Sequence, residues 1–235
     1  MRKLGLIDFF KAIGYDYKKD LQVVSDICYY TKTRVKPVEF KMSAGCEQPF
    51  ILKALAEKMS VVNFFEIGTG RGTASYSVAL VPSVKEVITI DIIPYTTKLS
   101  TAIGNKKVVV SNKDIFKMIK YKEKSKIKFK ERKPFWRKES EQYKNYFDLC
   151  FVDGEHSKED VILSDYEMCK KVLKPKGIIL FDDYNPKFPI KNLVDKILEA
   201  ENLDAILVEF HGHLFGGEPE KDSGLVIIKE GKLDI

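Results

Sequence analysis

Phe64-Phe65-Glu66-Ile67-Gly68-Thr69-Gly70-Arg71-Gly72 is an apolar run that ends in an acid and three glycines at alternate positions, ahead of a helix-like stretch from Thr73 to Leu80. Glycine at such positions lets the chain turn sharply out of a strand and brings its amides close to a ligand that a Cβ would push away. A dinucleotide loop places a third glycine three residues after the second, to seat a pyrophosphate on the helix N-terminus. Here that position is Thr73, and the glycine comes early, at Gly72. The spacing favours a nucleotide cofactor loop for a smaller ligand without phosphate.

Such a loop calls for a second acid about 20 residues on, at the end of the next strand, where a carboxylate accepts the ribose hydroxyls. Asp91 stands there, closing the β-branched run Glu86-Val87-Ile88-Thr89-Ile90-Asp91. Loop, helix and acid in this register resemble the first motifs of the class I S-adenosylmethionine-dependent methyltransferases. The resemblance implies that Glu66 lies near the methionine moiety. It also implies that Gly68, Thr69, Gly70 and Gly72 pass beneath the sulfonium and that Asp91 holds the ribose. The adenine motif matches poorly, with Asn112 or Asp114 as its candidates.

Working outward, strand and helix patterns alternate: strands at 63–67, 86–91, 107–110, 147–152, 177–181, 204–210 and 224–229, and helices at 72–80, 95–103, 158–173 and 189–201. Buried strands joined by helices predict an α/β fold, a doubly wound, mostly parallel sheet of seven strands with an antiparallel edge. Residues 1–60 read as an N-terminal helical cap, with helices at Leu4–Ile13, Asp20–Tyr30 and Pro49–Met59, and residues 61–235 as the cofactor-binding catalytic domain. At 235 residues and 44% hydrophobic content the chain can bury one such core.

The net charge of +6 is concentrated. Lys117–Lys144 holds 12 Lys or Arg against 4 Glu, so the rest of the chain is slightly acidic. This basic insertion reads as a solvated arm or as a grip for an anionic partner. Trp136, the only tryptophan, either stacks on an aromatic ligand or anchors the arm. No run is long and apolar enough to span a bilayer, no signal-peptide core follows Met1, and the four cysteines show no metal or disulfide spacing. A cytoplasmic protein with no membrane partner is expected.

In doubly wound folds ligands bind beyond the carboxyl ends of the strands, and two such ends are acidic: Asp153-Gly154-Glu155-His156 after 147–152, and Asp182-Asp183-Tyr184-Asn185 after 177–181. If the strands are neighbours, Asp153, Asp182 and Asp183 converge, and carboxylates that close need a cation or a proton between them. Hard oxygen donors point to magnesium or calcium, with manganese as a further option, rather than zinc. Helix capping is the plainer role open to these acids, and a surface position at a helix start the plainer one for His156.

The same residues are similar to the metal-dependent O-methyltransferases, the catechol-type enzymes and their small-molecule and sugar-modifying relatives. That resemblance runs from about Met42 to Asn185 and implies S-adenosyl-L-methionine and Mg2+, or another divalent cation, as cofactors. Asp153, Asp182 and Asp183 would be the metal ligands, Asp153 also bordering the cofactor, and His156 the catalytic base. His211 and His213, set among glycines, suggest a loop over the substrate or one with no role. Three readings stand at this point: a metal-assisted O-methyltransferase acting on a small-molecule hydroxyl, an RNA methyltransferase gripping phosphates through 117–144, and a cofactor-binding module without catalysis. Oligomeric state has no residue code.

Overall fold

The computed structural model describes residues 1–31, 47–92, 99–103, 106–110, 112–210, 214 and 221–229. Its strands are β1 (Arg2–Gly5), β2 (Asn63–Ile67), β3 (Glu86–Asp91), β4 (Leu99–Ile103), β5 (Lys106–Val110), β6 (Ile127–Glu131), β7 (Phe147–Val152), β8 (Leu173–Tyr184), β9 (Asp204–Glu209) and β10 (Gly224–Lys229). Its helices are α1 (Leu6–Ile13), α2 (Leu21–Tyr30), α3 (Gln48–Lys58), α4 (Thr73–Ala79), α5 (Asn112–Met118), α6 (Arg132–Pro134), α7 (Glu159–Val172) and α8 (Pro189–Glu201).

Eight strands form the main sheet in the order β1-β9-β10-β8-β7-β2-β3-β6. Consecutive strand residues face opposite sides, and here both sides are covered. Phe64, Leu149, Phe151 and Leu180 point into a core with α1, α2, α3 and α4, while Phe65, Cys150, Val152 and Phe181 point into a second core with α7 and α8. The helices read accordingly: Leu6, Phe9, Phe10 and Ile13 of α1 are buried at a helical period, and Gly14 ends it in the left-handed conformation.

Four expectations need correction. The main sheet has eight strands rather than seven, because Arg2–Gly5 pairs parallel with β9 before α1 begins. Antiparallel β10 lies between β8 and β9. The helix expected over 95–103 is replaced across 99–103 by β4, which pairs antiparallel with β5 in a separate two-stranded sheet. The strand expected at 107–110 is therefore not in the main sheet. Thr101 and Val108–Val110 favour strand, which outweighs the helical reading.

The basic segment is not a solvated arm. Within it, β6 pairs parallel with β3 at the edge of the main sheet, burying Ile127 and Phe129 on one side. Lys124 donates to the carbonyls of Phe116 and Ile119, Lys126 to those of Ala79 and Val81. Lys128 pairs with Glu86, Lys130 with Glu139 and Arg132 with Asp165. Phe135 is fully buried between Phe65 and Tyr143, with ring centroids 5.1 and 5.6 Å away. Trp136 anchors this segment, its indole N–H donating to Ser164 Oγ at 3.3 Å.

The parallel register positions the site. Ile67 lies opposite Ile90 on one side and Val152 on the other, and Val152 lies opposite Phe181. The residues that follow, Gly68, Asp91, Asp153 and Asp182, therefore emerge at one level on one edge of the sheet. The link from β2 crosses to β3 while β7 lies on its other side, so this edge holds the topological switch point where open α/β sheets bind ligands.

Candidate active site

The glycine loop is built on left-handed backbone. Gly68, Gly70 and Gly72 have φ of 96°, 48° and 77°, a region that costs a side chain about 1–2 kcal/mol. Gly72 starts α4, and its N–H turns back to the Thr69 carbonyl at 2.6 Å. Asp91 braces the loop: Oδ2 accepts the Gly70 N–H at 3.1 Å and Oδ1 the Ile92 N–H at 2.6 Å. The Thr69 and Thr89 hydroxyls share a buried hydrogen bond of 2.7 Å.

Glu66 lies beneath the loop, 1% exposed, accepting the Ser75 hydroxyl. Burial pushes its carboxyl up to about 7, against the opposing pull of the Ser75 and Thr89 hydroxyls. Beside the loop opens a cavity of about 370 Å³ whose walls include Gly68, Gly70, Asp91, Ile92, Arg132 and Asp153, a volume within the range of small-molecule sites. Asp114, in the first turn of α5, is exposed and is not among the described residues lining it; the side chain of Asn112 lies outside the described residues.

Arg132, which sequence reasoning missed, is part of that wall. It follows β6, pairs with fully buried Asp165, and lies over the Trp136 ring at 4.9 Å from its centroid. Arg132 and Ile92 also line an adjoining cavity of about 380 Å³ with Trp136 and Arg137. Burial pushes the Asp165 carboxyl up to about 7, with Arg132 opposing. Its Oδ2 has no hydrogen-bond partner among the described residues. The signal was the inward Ile127 and Phe129 alternating with cations, which predicts a strand ending just before Arg132.

Asp153, Asp182 and Asp183 do converge: one carboxylate oxygen from each lies within 4.8 Å of the others. Burial and mutual repulsion drive Asp153 well above the usual carboxylate range, and burial with Asp183 beside it pushes Asp182 up to about 7. Asp183 holds a left-handed φ of 52°. Three oxygen donors from hard carboxylates suit a divalent cation of the magnesium or calcium kind, and their repulsion is what such an ion would relieve.

Gln48, at the start of α3, was also missed. Its side-chain amide donates to Asp182 and lies 3.5 Å from Asp153 Oδ2. His156 Nδ1 lies 3.3 Å from Asp183 Oδ2, with the ring 6.0 Å from that of Phe188. His211 and His213 lie outside the described residues.

The methyltransferase-domain family model matches residues 65–184, just over half of the chain. No curated protein matches it in sequence. Among solved structures, the chain is similar to the O-methyltransferase TomG from Streptomyces achromogenes, involved in tomaymycin synthesis and solved with S-adenosylmethionine. That likeness has a TM-score of 0.57 at 13% identity, covering 90% of this chain and 89% of that one. The O-methyltransferase from Bacillus cereus, bound to S-adenosylhomocysteine, gives 0.53 at 13% identity over 90% and 91%. A Podospora anserina methyltransferase, also bound to S-adenosylhomocysteine, gives 0.54 at 17% identity over 89% and 88%. These likenesses establish the fold.

Proposed function

The chain belongs to the methyltransferase-domain family, and from that premise we propose that it moves the methyl group of S-adenosylmethionine to a hydroxyl of a small molecule, with a divalent cation at the strand tips. One observation carries this reading: the glycine loop, three carboxylates and a histidine meet at the ends of β2, β7 and β8.

The glycine loop with Glu66 takes the methionine end of the cofactor. Asp91 takes the ribose, and the cavities around Ile92 and Arg132 the adenine. S-adenosylmethionine supplies a methyl group already activated by the sulfonium, so the protein has chiefly to align the acceptor oxygen and remove its proton. Asp153, Asp182 and Asp183 would hold the cation, which would supply Lewis acidity to help an acceptor hydroxyl lose its proton. His156 directs Nδ1 at Asp183, which leaves Nε2 to take the proton. Residues 1–60 flank the acceptor side of the catalytic domain of residues 61–235: β1 joins its sheet, α1, α2 and α3 pack into its core, and Gln48 reaches its acids. Cys150 and Cys169 form no disulfide, which fits a reducing cytoplasm.

The RNA reading has no observation in its favour, since five cations of the basic segment are bonded within the fold. Calorimetry with S-adenosylhomocysteine, followed by a methyl-transfer screen over hydroxyl acceptors with and without chelator, tests the proposal. Absence of S-adenosylhomocysteine binding would sink the cofactor assignment. Transfer indifferent to chelator would remove the cation.

A further inference from the structure

Gln48 reaches the acids from a part of the chain remote in sequence, and its backbone has little freedom to leave. The residues after it in α3, Pro49, Phe50, Ile51 and Leu52, are all buried. Before it, Glu47 is fully buried and accepts the Leu214 N–H at 2.7 Å. What can move is the end of the side chain. A primary amide carries two N–H donors and a carbonyl acceptor of nearly the same shape, so turning it over exchanges donor for acceptor in one place.

Resting on the cation reading above, we propose that Gln48 is a positioning residue of the ion site: its N–H groups hold Asp182 and Asp153 together when no ion is present, and its Oε1 turns in as a fourth oxygen donor when one is. An N–H aimed between two acids supplies the positive end of a dipole where the site needs positive charge. A divalent ion there repels that N–H and attracts the carbonyl oxygen beside it. Mg2+ takes six oxygens and Ca2+ six to eight. Three aspartates and one amide oxygen leave room for water and an acceptor hydroxyl, and a neutral fourth donor adds no charge to a cluster already strongly repelling. The opposing idea, that Gln48 is a plug the ion must displace, predicts the reverse effect on affinity.

The test is Mn2+ binding followed by the loss of the free-ion electron paramagnetic resonance signal, for the wild type, Gln48→Leu and Gln48→Glu. Thermal melting with and without Mn2+ is recorded on the same samples. Gln48→Leu should bind Mn2+ roughly 10–100-fold more weakly than the wild type, the size of effect seen when groups supporting a metal site are removed. Gln48→Glu keeps an oxygen donor, so it should bind at least as tightly and show a larger Mn2+-induced rise in melting temperature than the wild type. Equal or tighter binding by Gln48→Leu overturns the inference. Should that variant fail to fold, a Mn2+ response of Gln48→Glu no larger than the wild type's overturns it. A wild type that binds no Mn2+ removes the cation reading itself, which separates the two failures.

Discussion

Gly68 stands so close to the backbone of Asp153 that a Cβ added to it would lie 1.9 Å from the Asp153 carbonyl oxygen. The cofactor loop after β2 and the first acid after β7 are thus one packed unit, joined further by the Asp153 N–H donating to the Ile67 carbonyl at 2.8 Å. Gly68→Ala must push two strand tips apart, because the obstacle is backbone rather than a flexible side chain. We expect it to cost at least about 2 kcal/mol and to abolish S-adenosylhomocysteine binding. Gly70 has nothing within 4 Å of a built Cβ, so Gly70→Ala meets only its positive φ, at about 1 kcal/mol. Urea denaturation of the two variants side by side checks the difference; equal losses would contradict this account of the loop.

Glu66 sets a cost against a function. Burial raises its folded pKa from the ordinary 4.5 to about 7. A carboxyl raised in this way contributes stability in full below pH 4.5 and loses it as pH climbs toward 7, where the buried group must ionise. The loss amounts to at most about 3 kcal/mol. Gln at this position keeps an acceptor for the Ser75 hydroxyl and cannot ionise. Glu66→Gln should therefore match the wild type in melting temperature near pH 5, exceed it near pH 8, and bind S-adenosylhomocysteine more weakly at the higher pH. Parallel melting curves at both pH values would show that Glu66 carries no such cost.

Phe135 distinguishes a packed segment from a mobile one. It lies within the lysine-rich run, yet it is fully buried and stacked on Phe65 of β2. Truncation of a buried phenylalanine costs about 3–5 kcal/mol, whereas in a solvated arm it would cost nearly nothing. The midpoint of urea unfolding for Phe135→Ala decides between them. A midpoint at the wild-type value would detach residues 127–143 from the core.

The sheet was legible where neighbouring residues carry the signal. The spans 63–67, 86–91, 147–152 and 224–229 are β-branched or aromatic runs, and β2, β3, β7 and β10 have those bounds. The acids were legible because parallel strands deliver their C-terminal residues to one edge. What escaped depends on partners remote in sequence. Four residues from Arg2 become a strand only because β9 offers an open edge. Ile127 and Phe129 alternate with lysines, a pattern that fits an exposed ribbon as well as a sheet edge until β3 is seen beside it. Gln48 meets Asp182 across 134 residues and Arg132 meets Asp165 across 33, and no local pattern announces a single side chain that closes a site.

His156 offers the sharpest separation of binding from chemistry. Its Nδ1 faces Asp183, while the glycine loop and Asp91 hold the other part of the site. A group that only removes the acceptor's proton leaves cofactor affinity untouched when replaced, and lowers turnover by the roughly 10²–10⁴-fold that general base catalysis contributes. His156→Asn keeps a polar side chain of similar reach but takes no proton at neutral pH. With any acceptor found in the screen, its kcat should fall by that range while calorimetric affinity for S-adenosylhomocysteine stays at the wild-type value. Loss of affinity in step with kcat would make His156 a structural support for the strand tips, and another group would then have to receive the proton.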